Sequence, residues 1–330
     1  MRKISYVMII IFMGGGLFLF PERLATLPEI MKPASISVEN NQLYIVEKST
    51  IYLYSTKDFK LVKQFGRKGE GPGEFKNIPI LKVFPDYLLI NSFGKFMYFS
   101  RNGEFLREKK IPRMFIFPVL PVGENFVGME MKFNRESKKG LTAITIFDKD
   151  LKTIKVIAES ERRRQGISGT FEMEMVRDHL RYDVSGENVF VGDTKKGFFI
   201  EVFNSKGNKL YQIKKEYEKL EVTDEYKNNR MESMKKSPYF NQVKDRFKFT
   251  WRKYFPAFGN FSINNGKIYV FTYKKKDKDK KREVIVMDLK GSILKKTFLP
   301  DGVISSINND RFYYLKENEE EEWELFVESI

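Results

Sequence analysis

The sequence predicts an all-β fold, a six-bladed beta-propeller with a partly helical insertion between blades four and five. Three observations predict it. A hairpin phrase, turn formers set between apolar, β-branched or aromatic residues, is written six times, at Ser37–Val46, Val83–Ile90, Val122–Val127, Val184–Val191, Ile263–Val270 and Ile307–Tyr314. Its anchors Leu43, Leu88, Phe126, Val189, Ile268 and Phe312 recur at 38 to 45 residues, apart from two longer intervals that leave room for insertions. A period of that length marks radially repeated sheets. Aromatic residues make up 15% of the 330 residues, 31 of them Phe and 16 Tyr, and large rings pack well across pleated strands.

In chain order, Met1-Arg-Lys3 is a short basic start, and Tyr6 to Phe20 follows without a charge. This pattern is that of a secretory signal or a membrane anchor over residues 1–21. The run is shorter than the roughly 20 residues of a full helical span, and three glycines at 14–16 weaken it as a helix. No small-x-small cleavage site follows. Two outcomes are therefore open, cleavage on export or retention through residues 4–20 as an inner-membrane anchor. Either places the chain in the cell envelope, periplasmic or extracytoplasmic. The absence of cysteine excludes disulfides and lipid attachment at Cys.

Residues 22–330 carry the propeller. Each of the first five hairpin phrases is followed by another strand, a tight turn and an outer strand. The turns are Ser55–Asp58, Arg101–Gly103, Asp148–Asp150, Asn204–Gly207 and Asp288–Gly291, rich in residues that tolerate unusual dihedrals. Outer strands such as Leu61–Phe65 and Lys209–Ile213 mix apolar with charged residues, as a strand with one wet face should. Four meandering strands form one blade. The sixth copy holds only three, ending in Trp323–Val327, and the segment Leu24–Met31 is expected to supply the fourth and close the ring.

Strand direction puts the long connections, 66–78, 134–140, 159–179, 214–258 and 274–282, on one face and leaves tight turns on the other. Loops on a rigid scaffold are where binding is expected. The longest insertion, about 214–257, begins with helix formers that Thr223 can cap and Pro238 can stop. Tyr226, Arg230, Met231 and Met234 fall on one face of that helix. An aromatic and basic stretch containing Trp251 follows it, and reads either as a lid or partner surface or as packing over the channel.

The sharpest local motif is Phe65-Gly-Arg-Lys-Gly-Glu-Gly-Pro-Gly-Glu-Phe75. Its glycines allow an amide-exposing loop in which Arg67 and Lys68 would help to hold an anion. It also reads as a turn between blades with Phe65 and Phe75 packed on either side. The segment lacks the Gly-Lys-Ser/Thr ending of a nucleotide-binding loop. It resembles the NHL-type repeat, in the form found in exported bacterial six-bladed propeller proteins. The resemblance is close over residues 65–75 and weaker over the rest of the chain. It implies a binding scaffold, or in some relatives a lyase or hydrolase with metal in the central channel, and it brings over no catalytic residue.

His179, the sole histidine, lies in Arg177-Asp-His-Leu-Arg181 just before the first strand of blade four. One histidine and no cysteine exclude the usual zinc sites, and no serine-nucleophile frame is present. The net charge of +15 favours anionic partners, and export argues against nucleic acid. The expectation is an exported, non-enzymatic scaffold binding a protein or anionic glycan on its loop-rich face. Arg67, Lys68, His179, Arg181 and Trp251 are its contact candidates, without a cofactor. The alternatives are a metal-dependent lyase or hydrolase using a divalent cation in the channel, and a structural subunit of an envelope assembly.

Overall fold

The computed structural model describes residues 21–111, 116–134, 139–162, 171–237, 240, 244–276 and 280–330. The export or anchor segment over residues 1–20 lies outside them, as do parts of the loops 134–140, 159–179, 214–258 and 274–282.

Six four-stranded antiparallel sheets follow one another along the chain. Blade one is Ser35–Glu39, Gln42–Glu47, Thr50–Ser55 and Leu61–Phe65. Blade two is Ile80–Val83, Leu88–Ser92, Lys95–Phe99 and Phe105–Lys110. Blade three is Ile116–Val122, Asn125–Asn134, Lys139–Phe147 and Thr153–Arg162. Blade four is Leu180–Ser185, Asn188–Asp193, Phe198–Asn204 and Lys209–Lys215. Blade five is Asn260–Asn264, Lys267–Lys276, Lys281–Asp288 and Ile293–Pro300. Blade six joins Ile304–Asn308, Arg311–Glu317 and Trp323–Ser329 to the amino-terminal strand Glu22–Thr26.

That last strand pairs antiparallel with Trp323–Ser329 and closes the ring. It begins two residues earlier than the expected Leu24 and ends at Thr26. Leu27 and Ile30 then turn inward and are buried against the first and last blades. Alternation in Leu24–Met31 locates the apolar residues but not the strand end, because Leu27 packs equally well from a turn.

The turns follow their chemistry. Asn40-Asn41, Asn265-Gly266 and Asn309-Asp310 all have positive φ at both positions, the type I′ geometry that matches strand twist. Asp148, Asn204 and Asp288 each accept two turn amides, two and four residues on, through one side-chain oxygen. Gly291, at φ +92°, sits on the outer strand of blade four, where a Cβ would come 2.6 Å from Ile213. Gly103 packs on Phe65 of blade one in the same way.

The core lies in the wedges between blades. Tyr44, Val46 and Leu53 of blade one pack on Leu88, Ile90 and Met97 of blade two, and four further clusters continue around the ring. Polar side chains stitch the same wedges. Buried Asn91 donates to the Val119 carbonyl at 3.1 Å and accepts from its amide at 2.8 Å, so a side chain completes the edge of the neighbouring blade. Arg101 of blade two donates to the carbonyls of Glu39 and Phe84 and to Gln42.

The insertion contains helix α1 (Asp224–Lys235), capped by Thr223, which accepts from the Tyr226 amide at 3.2 Å. Acidic residues open it and Lys235 closes it, as the helix dipole favours. None of its residues is buried; Tyr226, Met231 and Met234 are half-covered and Arg230 is exposed. A parallel pair, Phe171–Glu174 with Phe247–Thr250, ties this insertion to the one before blade four.

Candidate partner-binding face

The segments joining an outer strand to the next inner strand leave on the same face as those joining second to third strands. Both large insertions therefore leave on one face, beside blades four and five. His179 and Arg181 stand there because Leu180–Ser185, the inner strand of blade four, starts at that end.

Local hydrogen bonds fix the approach to this strand. The His179 amide donates to Thr194 Oγ1 at 2.9 Å, and the Thr194 amide returns to the His179 carbonyl at 3.2 Å. Thr194 Oγ1 also reaches Asp178 at 3.3 Å. Asp178 forms an ion pair with Arg252 of the long insertion at 2.7 Å, and Arg252 also approaches Glu174 at 3.8 Å. These contacts hold the insertion to the start of the inner strand of blade four.

The His179 ring lies edge-on to Phe258, with Nδ1 3.3 Å from the Arg177 carbonyl. Its Nε2 is enclosed and closes no hydrogen bond, although the Gly259 backbone lies beside the ring. Burial, and then the charge of Arg181, push its pKa below the ordinary histidine value. The folded state therefore resists protonation, and the unfolded chain takes up the proton first, at about pH 6.5. Stability should fall as pH drops from 7.5 to 5.5, above the range where carboxylates titrate. His179→Gln should flatten that slope in urea unfolding, and an unchanged slope would contradict the assignment.

Arg181 donates to the Leu180 carbonyl at 3.2 Å and forms no ion pair among the described residues. Desolvation lowers its pKa most, opposed by Tyr273 and reinforced by Arg177. Tyr273 stacks on Phe255 with ring centres 4.6 Å apart, Phe255 meets Tyr226 edge-on at 4.7 Å, and Tyr226 meets Trp251 at 6.3 Å. An aromatic ladder thus runs from the helix to Tyr273 of blade five, whose hydroxyl is close enough to act electrostatically on Arg181.

Two residues deeper, about 7 Å along the strand, Asp183 accepts from Lys82 Nζ at 2.8 Å, from the Val184 amide at 2.9 Å and from the Ile263 amide at 2.8 Å. Lys82 belongs to blade two, Asp183 to blade four and Ile263 to blade five, so this ion pair joins inner strands two blades apart. Among the described residues no group of three His, Cys, Asp or Glu is arranged to hold a metal ion.

Arg67 and Lys68 stand apart, at the junction of blades one and two. Arg67 pairs with Glu74 at 2.6 Å, and Glu74 also accepts the Gly71 amide. Lys95 fills the loop from below, donating to the Gly71 carbonyl at 2.6 Å and to Glu108 at 2.7 Å. Arg67 and Glu74 of the glycine loop are thus paired with each other, while Lys68 is exposed and bridges to Phe75 through the backbone. Of the five candidates, His179 and Arg181 are brought together, Trp251 joins them through the ladder, and Arg67 and Lys68 do not. On the opposite face an open pocket of about 550 Å³ lies between blades two and three, lined by Tyr87, Tyr98, Arg107 and Phe126 among others. Sequence reasoning missed Tyr273 and Lys82 and weighed Asp178 and Asp183 only as aids to a bound cation; a charged residue just before an inner-strand phrase was the available signal for Lys82 and Asp183.

A family model described as DUF5128, a 6-bladed beta-propeller, is similar to residues 28–173, under half of the chain. No curated protein matches. Among solved structures, the Pyrococcus horikoshii acylaminoacyl peptidase is 10% identical with a TM-score of 0.44, covering 92% of this chain and 46% of the peptidase. The Neurospora crassa Pan2 WD40 domain is 8% identical with a TM-score of 0.42, covering 93% and 95%. The AfRom2 CNH domain is 9% identical with a TM-score of 0.44, covering 94% and 99%.

Proposed function

We propose that the protein is a non-enzymatic binding scaffold of the cell envelope that captures a carboxylate-bearing partner, an acidic protein segment or anionic glycan, at the channel mouth between blades four and five. The observation that carries this reading is Arg181: a cation without an acidic partner among the described residues, set beside His179 and near the end of an aromatic ladder. A guanidinium that meets no carboxylate in the fold keeps its forked donors free for a bidentate pair with an incoming one. The rings of Tyr273, Phe255 and Tyr226 offer flat surface to sugar or side chain. Envelope location is supported by the basic start, the uncharged run from Tyr6 to Phe20 and the absence of cysteine, and the glycine motif of residues 65–75 supports kinship with NHL-type scaffolds. No described helix is long and apolar enough to cross a membrane.

Polygalacturonate and poly-glutamate serve as probes. Both should bind, compete with each other and weaken with salt. Arg181→Gln should reduce affinity about tenfold, the scale of one charged hydrogen bond, while Arg67→Gln should not. Equal binding by wild type and Arg181→Gln in calorimetry would defeat the proposal.

A further inference from the structure

In each of blades one to five the outer strand carries an extra residue against the third strand next to the tight turn: Val62, Leu106, Ile154, Leu210 and Leu294, with blade three carrying a second further along at Ile157. A bulge of this kind re-aims its side chain. All five are aliphatic, and all five are exposed, by 63, 56, 43, 49 and 54%. One exposed aliphatic residue is ordinary. The same class at the same bulge in five blades puts a belt at one height around the rim, on the face opposite the insertions.

Exposed lysines flank the belt. Lys57, Lys149, Lys206 and Lys290 sit in the turns, and Lys63, Lys155 and Lys295 follow the bulges. Acidic residues share the turns, but Asp148 and Asp288 are engaged by turn amides, which leaves Asp58, Glu104 and Asp150 as the other carboxylates there.

Blade six supplies the third observation. It has no such turn, because its outer strand is the amino-terminal one. Glu22 pairs with Val327, close to the end of Trp323–Ser329, so the chain enters at the level of the belt. A single residue, Pro21, separates that strand from the uncharged run ending at Phe20.

We propose that this rim docks on an anionic lipid bilayer. The five aliphatic side chains enter the boundary between headgroups and acyl chains, and the lysines meet anionic headgroups. The channel mouth with Arg181 then faces away from the membrane. The proposal rests on the envelope location proposed above, and retention of residues 4–20 in the same bilayer would add a second attachment beside the rim.

The test is sedimentation with vesicles of phosphatidylglycerol and phosphatidylcholine, or of phosphatidylcholine alone. The chain beginning at Pro21, which keeps every described strand, should partition onto the anionic vesicles at low salt and much less onto neutral ones. The triple variant Leu106→Ser, Leu210→Ser, Leu294→Ser should partition at least tenfold more weakly with an unchanged melting temperature, and Arg181→Gln should partition as wild type. The full chain should stay with the vesicles at high salt; its release there would remove the retention reading and leave the rim result standing. The rim proposal is overturned by no partitioning of the shortened chain, by equal partitioning of the triple variant, or by wild-type self-association that the triple variant abolishes, which would make the belt a contact between copies.

Discussion

Removal of residues 22–33 is expected to lower the melting temperature by roughly 15 °C or more, as read by circular dichroism. The segment supplies the outer strand of blade six, and its loss exposes the edge of Trp323–Ser329. It also removes Leu27 and Ile30, at 0% and 3% exposure, each worth about 1.5–3 kcal/mol of burial. Buried Glu47, which accepts the amides of Met31 and Lys32, is left without those donors at a further cost of about 1–3 kcal/mol. Together these approach about 6 kcal/mol, against a total stability of about 5–15 kcal/mol for a typical domain. Leu27→Ala isolates one part and should cost about 3 kcal/mol. An unchanged melt in the deletion would mean that the ring does not depend on this closure.

Asp183→Ala should be among the most damaging single changes. Asp183 is 6% exposed and receives three donors from two blades besides its own. Its removal strands the Ile263 amide and the Lys82 ammonium, a loss of about 3–5 kcal/mol by analogy with other broken buried pairs. Lys82→Met should cost less, because Asp183 keeps two amide donors and Lys82 is only partly covered. Urea midpoints should therefore order as wild type, Lys82→Met, Asp183→Ala. The reverse order would mean that the carboxylate is not held as described, and would weaken the case for the contact between the inner strands of blades two and four.

Local chemistry made most of the scaffold legible. Asn40-Asn41 and Asn309-Asp310 announced type I′ turns, and the aromatic and β-branched residues around them announced strands with two covered faces. Thr223 and the acidic first turn announced α1. What stayed hidden depends on distant pairing. Phe171–Glu174 and Phe247–Thr250 pair in parallel across more than seventy residues, without a turn signal between them. The Lys82–Asp183 bridge needs a ring of known size before either residue can be placed opposite the other. The glycine motif carried two readings, an anion cradle and a turn between blades, and its composition does not choose between them: Glu74, three residues on from Gly71, accepts the Gly71 amide and pairs with Arg67, while Phe65 and Phe75 are buried on either side. The bulged aliphatic belt was also unreadable, because a bulge is a property of register and not of one strand's sequence.

The channel mouth can be interrogated through one nucleus. The chain has a single histidine, so the ring nitrogens of His179 give one pair of signals in a nitrogen-correlated magnetic resonance spectrum. Without ligand its titration midpoint should lie below the ordinary histidine value, for the reasons of burial and of Arg181 given above. On saturation with polygalacturonate the midpoint should move upward, because an anion held by Arg181 favours the protonated ring. Saturation confirmed by calorimetry, with neither the signals nor the midpoint displaced, would place binding elsewhere and contradict the proposed role of the channel mouth.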